Sequence, residues 1–114
     1  MAGVIDSADA RSKTIGRSQD TASAWCNISN GGTVNDSFNV SSATDISTGL
    51  WRPNFSSNMA NVHYAVLATC DAGGSARAVT TYDHLVGSVN VKILTIGSEV
   101  VTDPDSLSVV IFGD

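Results

Sequence analysis

The side chains able to do acid, base, nucleophilic or metal chemistry are few and scattered along this chain. His63 and His84 are the only histidines, and neither accompanies a Gly-x-Ser-x-Gly elbow or another nucleophile motif that would make it the base of a triad. Glycoside hydrolysis needs two carboxyl groups flanking one bond. Glu99 is the sole glutamate, and Asp71, Asp83, Asp103 and Asp105 all fall in expected turns, where aspartate caps its own backbone. Asp103 and Asp105 flank Pro104 and could lend oxygens to calcium, but the tract lacks the ligand ladder of an EF-hand. Neither histidine shows a zinc spacing against Cys26 or Cys70. The glycine loops SNGGTV and DAGGSA precede no helix, so they cannot present the N-terminus that phosphate-binding loops use. Asn-x-Ser triplets at Asn27, Asn35, Asn39 and Asn54 read as chance matches in a chain rich in both residues and without a signal peptide. The expectation is a chain that is not an enzyme, with no cofactor and no bound metal.

The elements that carry these residues are set by composition. Of 114 residues, 42% are apolar and only 15% charged, below the roughly 25% charge of an average soluble protein. Ser, Thr, Asn and Gly supply the remaining polarity, which suits strands and their turns. The net charge of -5, with only six scattered Lys and Arg, argues against nucleic acid. No run approaches a membrane span or a signal peptide, so the expectation is a soluble chain made in the cytoplasm, without membrane insertion.

A break in composition near residue 20 divides the chain. Residues 1–20 are polar, charged and interrupted by Gly3 and Gly16, and read as an extended arm that cannot bury enough apolar surface to fold alone. Residues 21–114 read as one all-β head, an antiparallel sandwich of jelly-roll type with about seven strands. The strands are expected near 22–28, 37–44, 49–55, 62–70, 76–81, 88–96 and 106–112, separated by clusters of Gly, Asn, Asp and Pro.

Alternation assigns the faces. Val89, Val91 and Ile93 point to one side and Asn90 and Lys92 to the other; Trp51, Pro53 and Phe55 oppose Leu50, Arg52 and Asn54. Trp51 and Phe55 are expected in the core rather than on a sugar-stacking platform. Pro53 cannot donate to a ladder, which predicts an edge strand or a bulge. Cys26 and Cys70 lie in apolar alternation and are expected to be buried and reduced, a disulfide requiring their strands to be neighbours. The last strand is apolar on both sides, with Leu107, Val109 and Ile111 opposing Val110 and Phe112, so a second surface is needed to cover Val110 and Phe112. That surface is expected to come from another subunit.

Ala24 to Asn27, Ser37 to Ser42, Thr44 with Asp45, Asn54 with Phe55, Met59 with Ala60, Asn61 to Tyr64 and Val109 to Asp114 form an ordered series over about four fifths of the chain. In this series the chain resembles a β-domain of bacteriophage tail-fibre, spike and virion appendage proteins. The resemblance implies a β-sandwich, commonly a homotrimer, on a fibre or spike facing the host surface, with no cofactor and no transferable catalytic residues. Cys26, Trp51 with Pro53, and Ala43 depart from that pattern. On this basis the expected location is the virion and the expected role is host adhesion, the alternative being a collar, adaptor or capsid-decoration piece. The arm would attach to other virion proteins through Val4, Ile5 and Ile15. The turns carrying Asn30, Asn35, Asp71, Ser75, Tyr82 and His84 would meet a host glycan or protein, and Val110 and Phe112 a neighbouring subunit.

Overall fold

All regular structure described in the computed structural model, which covers residues 22–113, is β-strand. Eight strands form: β1 (Ala24–Ser29), β2 (Val34–Phe38), β3 (Val40–Ser47), β4 (Leu50–Phe55), β5 (Ala65–Asp71), β6 (Arg77–Tyr82), β7 (Asn90–Thr95) and β8 (Ser106–Phe112). They build two four-stranded antiparallel sheets, sheet I in the order β2-β1-β8-β5 and sheet II in the order β3-β4-β7-β6. The chain crosses between sheets after β2, β4, β5 and β7. With β1 against β8 in one sheet and β4 against β7 in the other, the two sheets make the antiparallel β-sandwich expected from the sequence.

The expected strand 37–44 is in fact two strands. Asn39 has φ 55, which turns the chain from sheet I into sheet II. Asparagine tolerates this left-handed conformation better than most residues. Its side chain secures the corner: Nδ2 donates to the carbonyls of Ser23 and Ser57, each at 3.2 Å, and Oδ1 accepts from the Ser57 amide at 2.7 Å. β3 then runs on to Ser47, through residues read as a turn, and reverses at Gly49, whose φ of 70 suits glycine. A Cβ there would lie 2.7 Å from the Thr102 amide nitrogen.

Pro53 lies on a central strand, not an edge. β4 sits between β3 and β7, and Pro53 is fully buried. Nor does β4 carry the bulge: the extra residues of the β3–β4 pairing, Ser41 and Ile46, lie on β3, and Pro53 stands in regular register opposite Ala43. Toward β7 the regular ladder ends at Trp51 opposite Val91, after which the Val89 amide reaches the Pro53 carbonyl at 3.4 Å.

The core lies between the sheets. Ala24, Cys26 and Ile28 of β1 and Leu107, Val109 and Ile111 of β8 meet Trp51 and Phe55 of β4 and Val89, Val91 and Ile93 at β7. Burying such side chains stabilises by about 1.5–3 kcal/mol each. Trp51 is in the core, although its Nε1 finds no hydrogen-bond partner. Cys26 is buried, while Cys70 is only half-buried on edge strand β5, and both are free thiols. Their strands are separated by β8, placing them about 10 Å apart at the usual strand spacing, beyond disulfide reach.

Candidate functional site

Strand pairing sorts the loops onto two ends. Segments 30–33, 48–49, 72–76 and 96–105 gather at one end, while the start of the head, the Asn39 corner, segments 56–64 and 83–89, and Gly113 gather at the other. The six residues expected to face a receptor are therefore divided. Asn30, Asp71 and Ser75 share the first end, where the Asn30 amide donates to the Asp105 carbonyl at 3.0 Å and the Asp105 amide to the Asp71 carbonyl at 2.7 Å. Asp71 Oδ1 also accepts from the Gly73 amide at 3.0 Å, the local capping expected of it. The Ser75 amide closes a turn onto Ala72. Asn35 lies on β2 rather than in a turn, its Nδ2 donating to Asn27 Oδ1 at 2.8 Å.

Tyr82 and His84 belong to the opposite end. The His84 ring stacks on Tyr64 at 5.3 Å and 8°, with Nε2 3.0 Å from Thr81 Oγ1. Tyr64 in turn donates to the carbonyls of Leu85 at 2.7 Å and Ser88 at 3.0 Å and packs edge-on against Phe55. His84 thus joins the packing that fixes the 83–89 loop. His63 is exposed, its amide donating to Asn61 Oδ1. Asp103 Oδ1 accepts from the Gly49 amide at 2.7 Å, holding the β3–β4 turn against the 96–105 loop. No group of three or more His, Cys, Asp or Glu able to hold a metal ion occurs among the described residues. Val4, Ile5 and Ile15 lie outside the described residues.

The outer sheet faces are more distinctive than the loops. On sheet I the register aligns Phe38, Trp25, Val110 and Leu67 in one row across all four strands. Phe38 is 54% exposed and Leu67 59%, with Trp25 and Phe112 also open to solvent and Val110 half-buried. The adjacent row is polar: Asn27 Nδ2 donates to Ser108 Oγ at 3.0 Å, continuing the contact from Asn35. Val110 and Phe112 were legible as outward-facing from β8 alone. Trp25 and Leu67 were not singled out, although Trp25 alternates with Ala24 and Cys26; only the register reveals that they share a row.

Beside this face, β5 forms a sheet edge. It pairs with β8 in unbroken register along its whole length and contains no Pro or Lys, whereas edge strands β2 and β3 each carry a register shift. Bulges, Pro and Lys are the usual protection against edge pairing. Between β5 and edge strand β6 runs an open groove of about 400 Å³, lined by Val66, Ala68, Thr69, Val79 and Thr81 among others.

The outer face of sheet II carries mostly polar side chains, with Leu50, Ala78 and Leu94 among them. Thr44, Arg52, Asn90 and Tyr82 occupy one row across its four strands. Asn90 is 4% exposed, one of few buried polar side chains. Its Oδ1 accepts from Arg52 Nε at 2.8 Å, and its Nδ2 donates to Asp83 Oδ2 at 3.3 Å. Asp83 has φ 49, which starts the 83–89 loop in a left-handed conformation. Lys92 follows Asn90 by two residues on the same face, its Nζ 5.5 Å from the centre of the Tyr82 ring.

The fold and these surfaces define an antiparallel β-sandwich whose distinctive side chains lie on its outer faces. Comparison of the chain with known protein families, with curated proteins and with solved structures finds no match.

Proposed function

We propose that this chain is a bacteriophage virion structural protein, a fibre or spike appendage whose heads assemble as a homotrimer and adhere to the host. The observation that carries this reading is the apolar row Phe38, Trp25, Val110 and Leu67 on the outer face of sheet I, next to the regular edge of β5. Outward apolar rows rimmed by polar residues mark association surfaces, and closed cyclic assembly lets each subunit cover its neighbour. The resemblance in sequence motifs to phage appendage domains supplies the biological setting. In this setting the arm, residues 1–20, joins the head to other virion proteins.

Light scattering on the full chain at micromolar concentration, together with labelled antibody on assembled particles, tests the proposal. A trimer mass and a label at the distal part of an appendage are expected. A monomer would overturn the assembly, and a label at an internal joint would replace adhesion with a purely structural role.

A further inference from the structure

We infer that the outer face of sheet II is a binding platform for a carboxylate-bearing saccharide, with Arg52 as its anchor and Lys92 beside it. The inference deepens the adhesive reading and rests on it. Residues 21–114 contain three basic and eight acidic residues. Two of the three cations, Arg52 and Lys92, lie on this single face beside one carboxylate, the exposed Asp83 bonded to Asn90, although the head as a whole is acidic. Two cations against one carboxylate leave this face with positive charge to spare in an otherwise acidic head, which favours an anionic partner here over the rest of the surface.

Arg52 is also held in place. Its Nε donates to a carboxamide that is itself buried and tied to Asp83, so the guanidinium is fixed through a chain of two hydrogen bonds. A buried asparagine needs partners in any case, and satisfying Asn90 is a sufficient structural use for Arg52 Nε. Nε is only one of five N–H donors on the guanidinium, and its use leaves the terminal nitrogens of a planar fork matched to the two oxygens of a carboxylate. Fixing the fork beforehand lowers the ordering cost of binding. Thr44 at one end of the row and Tyr82 at the other add hydroxyl groups, and Thr80 lies opposite Lys92. Such a row of polar groups suits the hydroxyls of a sugar chain lying across the strands.

The test uses the full chain with hexagalacturonate, hexamannuronate and a hyaluronan hexamer as probes, and methyl-esterified hexagalacturonate and a phosphorylated oligomannose as controls, read by calorimetry and backbone NMR. At least one uronate is expected to bind, with shifts centred on Arg52, Asn90, Lys92 and Tyr82, and neutralising its carboxylates is expected to weaken binding at least tenfold. Arg52→Lys keeps the charge and loses the fork, and is expected to weaken binding about tenfold. Lys92→Gln provides a second variant that leaves the Arg52–Asn90 contact in place, with a threefold to tenfold loss. Both variants should keep the wild-type oligomer mass, which separates this inference from the assembly reading; Lys92→Gln should also keep wild-type melting, whereas Arg52→Lys removes the donor to buried Asn90 Oδ1 and should melt lower. Failure of all three uronates to bind, equal binding of the ester, stronger binding of the phosphorylated sugar, or shifts confined to other surfaces would overturn it.

Discussion

Gly113 lies directly against Tyr64: a Cβ added to the glycine would be 2.6 Å from the tyrosine's own Cβ. The contact joins the end of β8 to the entry of β5, where Ser23 Oγ and the Gly113 backbone also bond to each other. Gly113→Ala must displace Tyr64, whose hydroxyl anchors the 83–89 loop through Leu85 and Ser88. Overpacking of this kind typically costs about 1–3 kcal/mol. Urea denaturation of the variant should show a lower midpoint, and a difference under about 0.5 kcal/mol would mean that the end of the chain yields without strain.

Asn39 offers a second test of a motif residue. Asn39→Ala loses three hydrogen bonds and places alanine at φ 55. Each such bond contributes about 0.5–1.5 kcal/mol net, and the left-handed backbone adds about 1 kcal/mol or more. Asn39→Gly keeps the backbone at ease and loses only the bonds. Melting temperatures should therefore fall in the order wild type, Asn39→Gly, Asn39→Ala; equal losses for both variants would remove the backbone contribution from the account.

These two residues also mark what was legible from the sequence. Alternation in β1, β4, β7 and β8 placed Ala24, Cys26, Trp51, Val91, Val109 and their neighbours in the core, because a period of two directly reports a half-buried strand. The break at Asn39 was not legible: the residues on both sides favour strands, and a single left-handed residue leaves no trace in that period. Pro53 misled about the edge, since a central strand can also accommodate a proline where its ladder is interrupted. The two outer faces depended on pairing register, which strand-by-strand reading does not supply. Arg52 and Asn90 could be placed outward on their own strands, but their contact across sheet II could not be foreseen.

The two thiols should differ in reactivity and in pH response. Burial pushes the Cys26 thiol from 9.0 to about 11, and burial also raises Cys70, offset in part by the Arg77 charge. Maleimide should label Cys70 faster than Cys26 in native protein, with neither bridged. Because the native Cys26 thiol stays neutral where the unfolded one ionises, its contribution to stability is complete below pH 9 and is lost as pH rises toward 11. Cys26→Ala should flatten that alkaline decline in denaturation midpoints. An unchanged decline would assign it to other groups, among them Tyr64, whose hydroxyl is also raised by burial.

Leu67 allows assembly to be tested apart from folding. It is 59% exposed at the middle of β5, pointing away from Val66 and Ala68, which pack toward the core. Leu67→Glu should therefore change head stability by no more than about 0.5–1 kcal/mol, the usual range for a substitution outside the core. In the assembled protein the same carboxylate would sit in the apolar row with Val110, Trp25 and Phe38. Burying an unpaired charge against a neighbouring subunit is strongly unfavourable, so the expected result is a monomer that melts cooperatively near the wild-type temperature. Light scattering across a concentration series, paired with thermal unfolding of the same samples, separates the two effects. A Leu67→Glu protein that retains the wild-type oligomer mass would show that subunits meet elsewhere, and one that unfolds would show that Leu67 belongs to the core of the head.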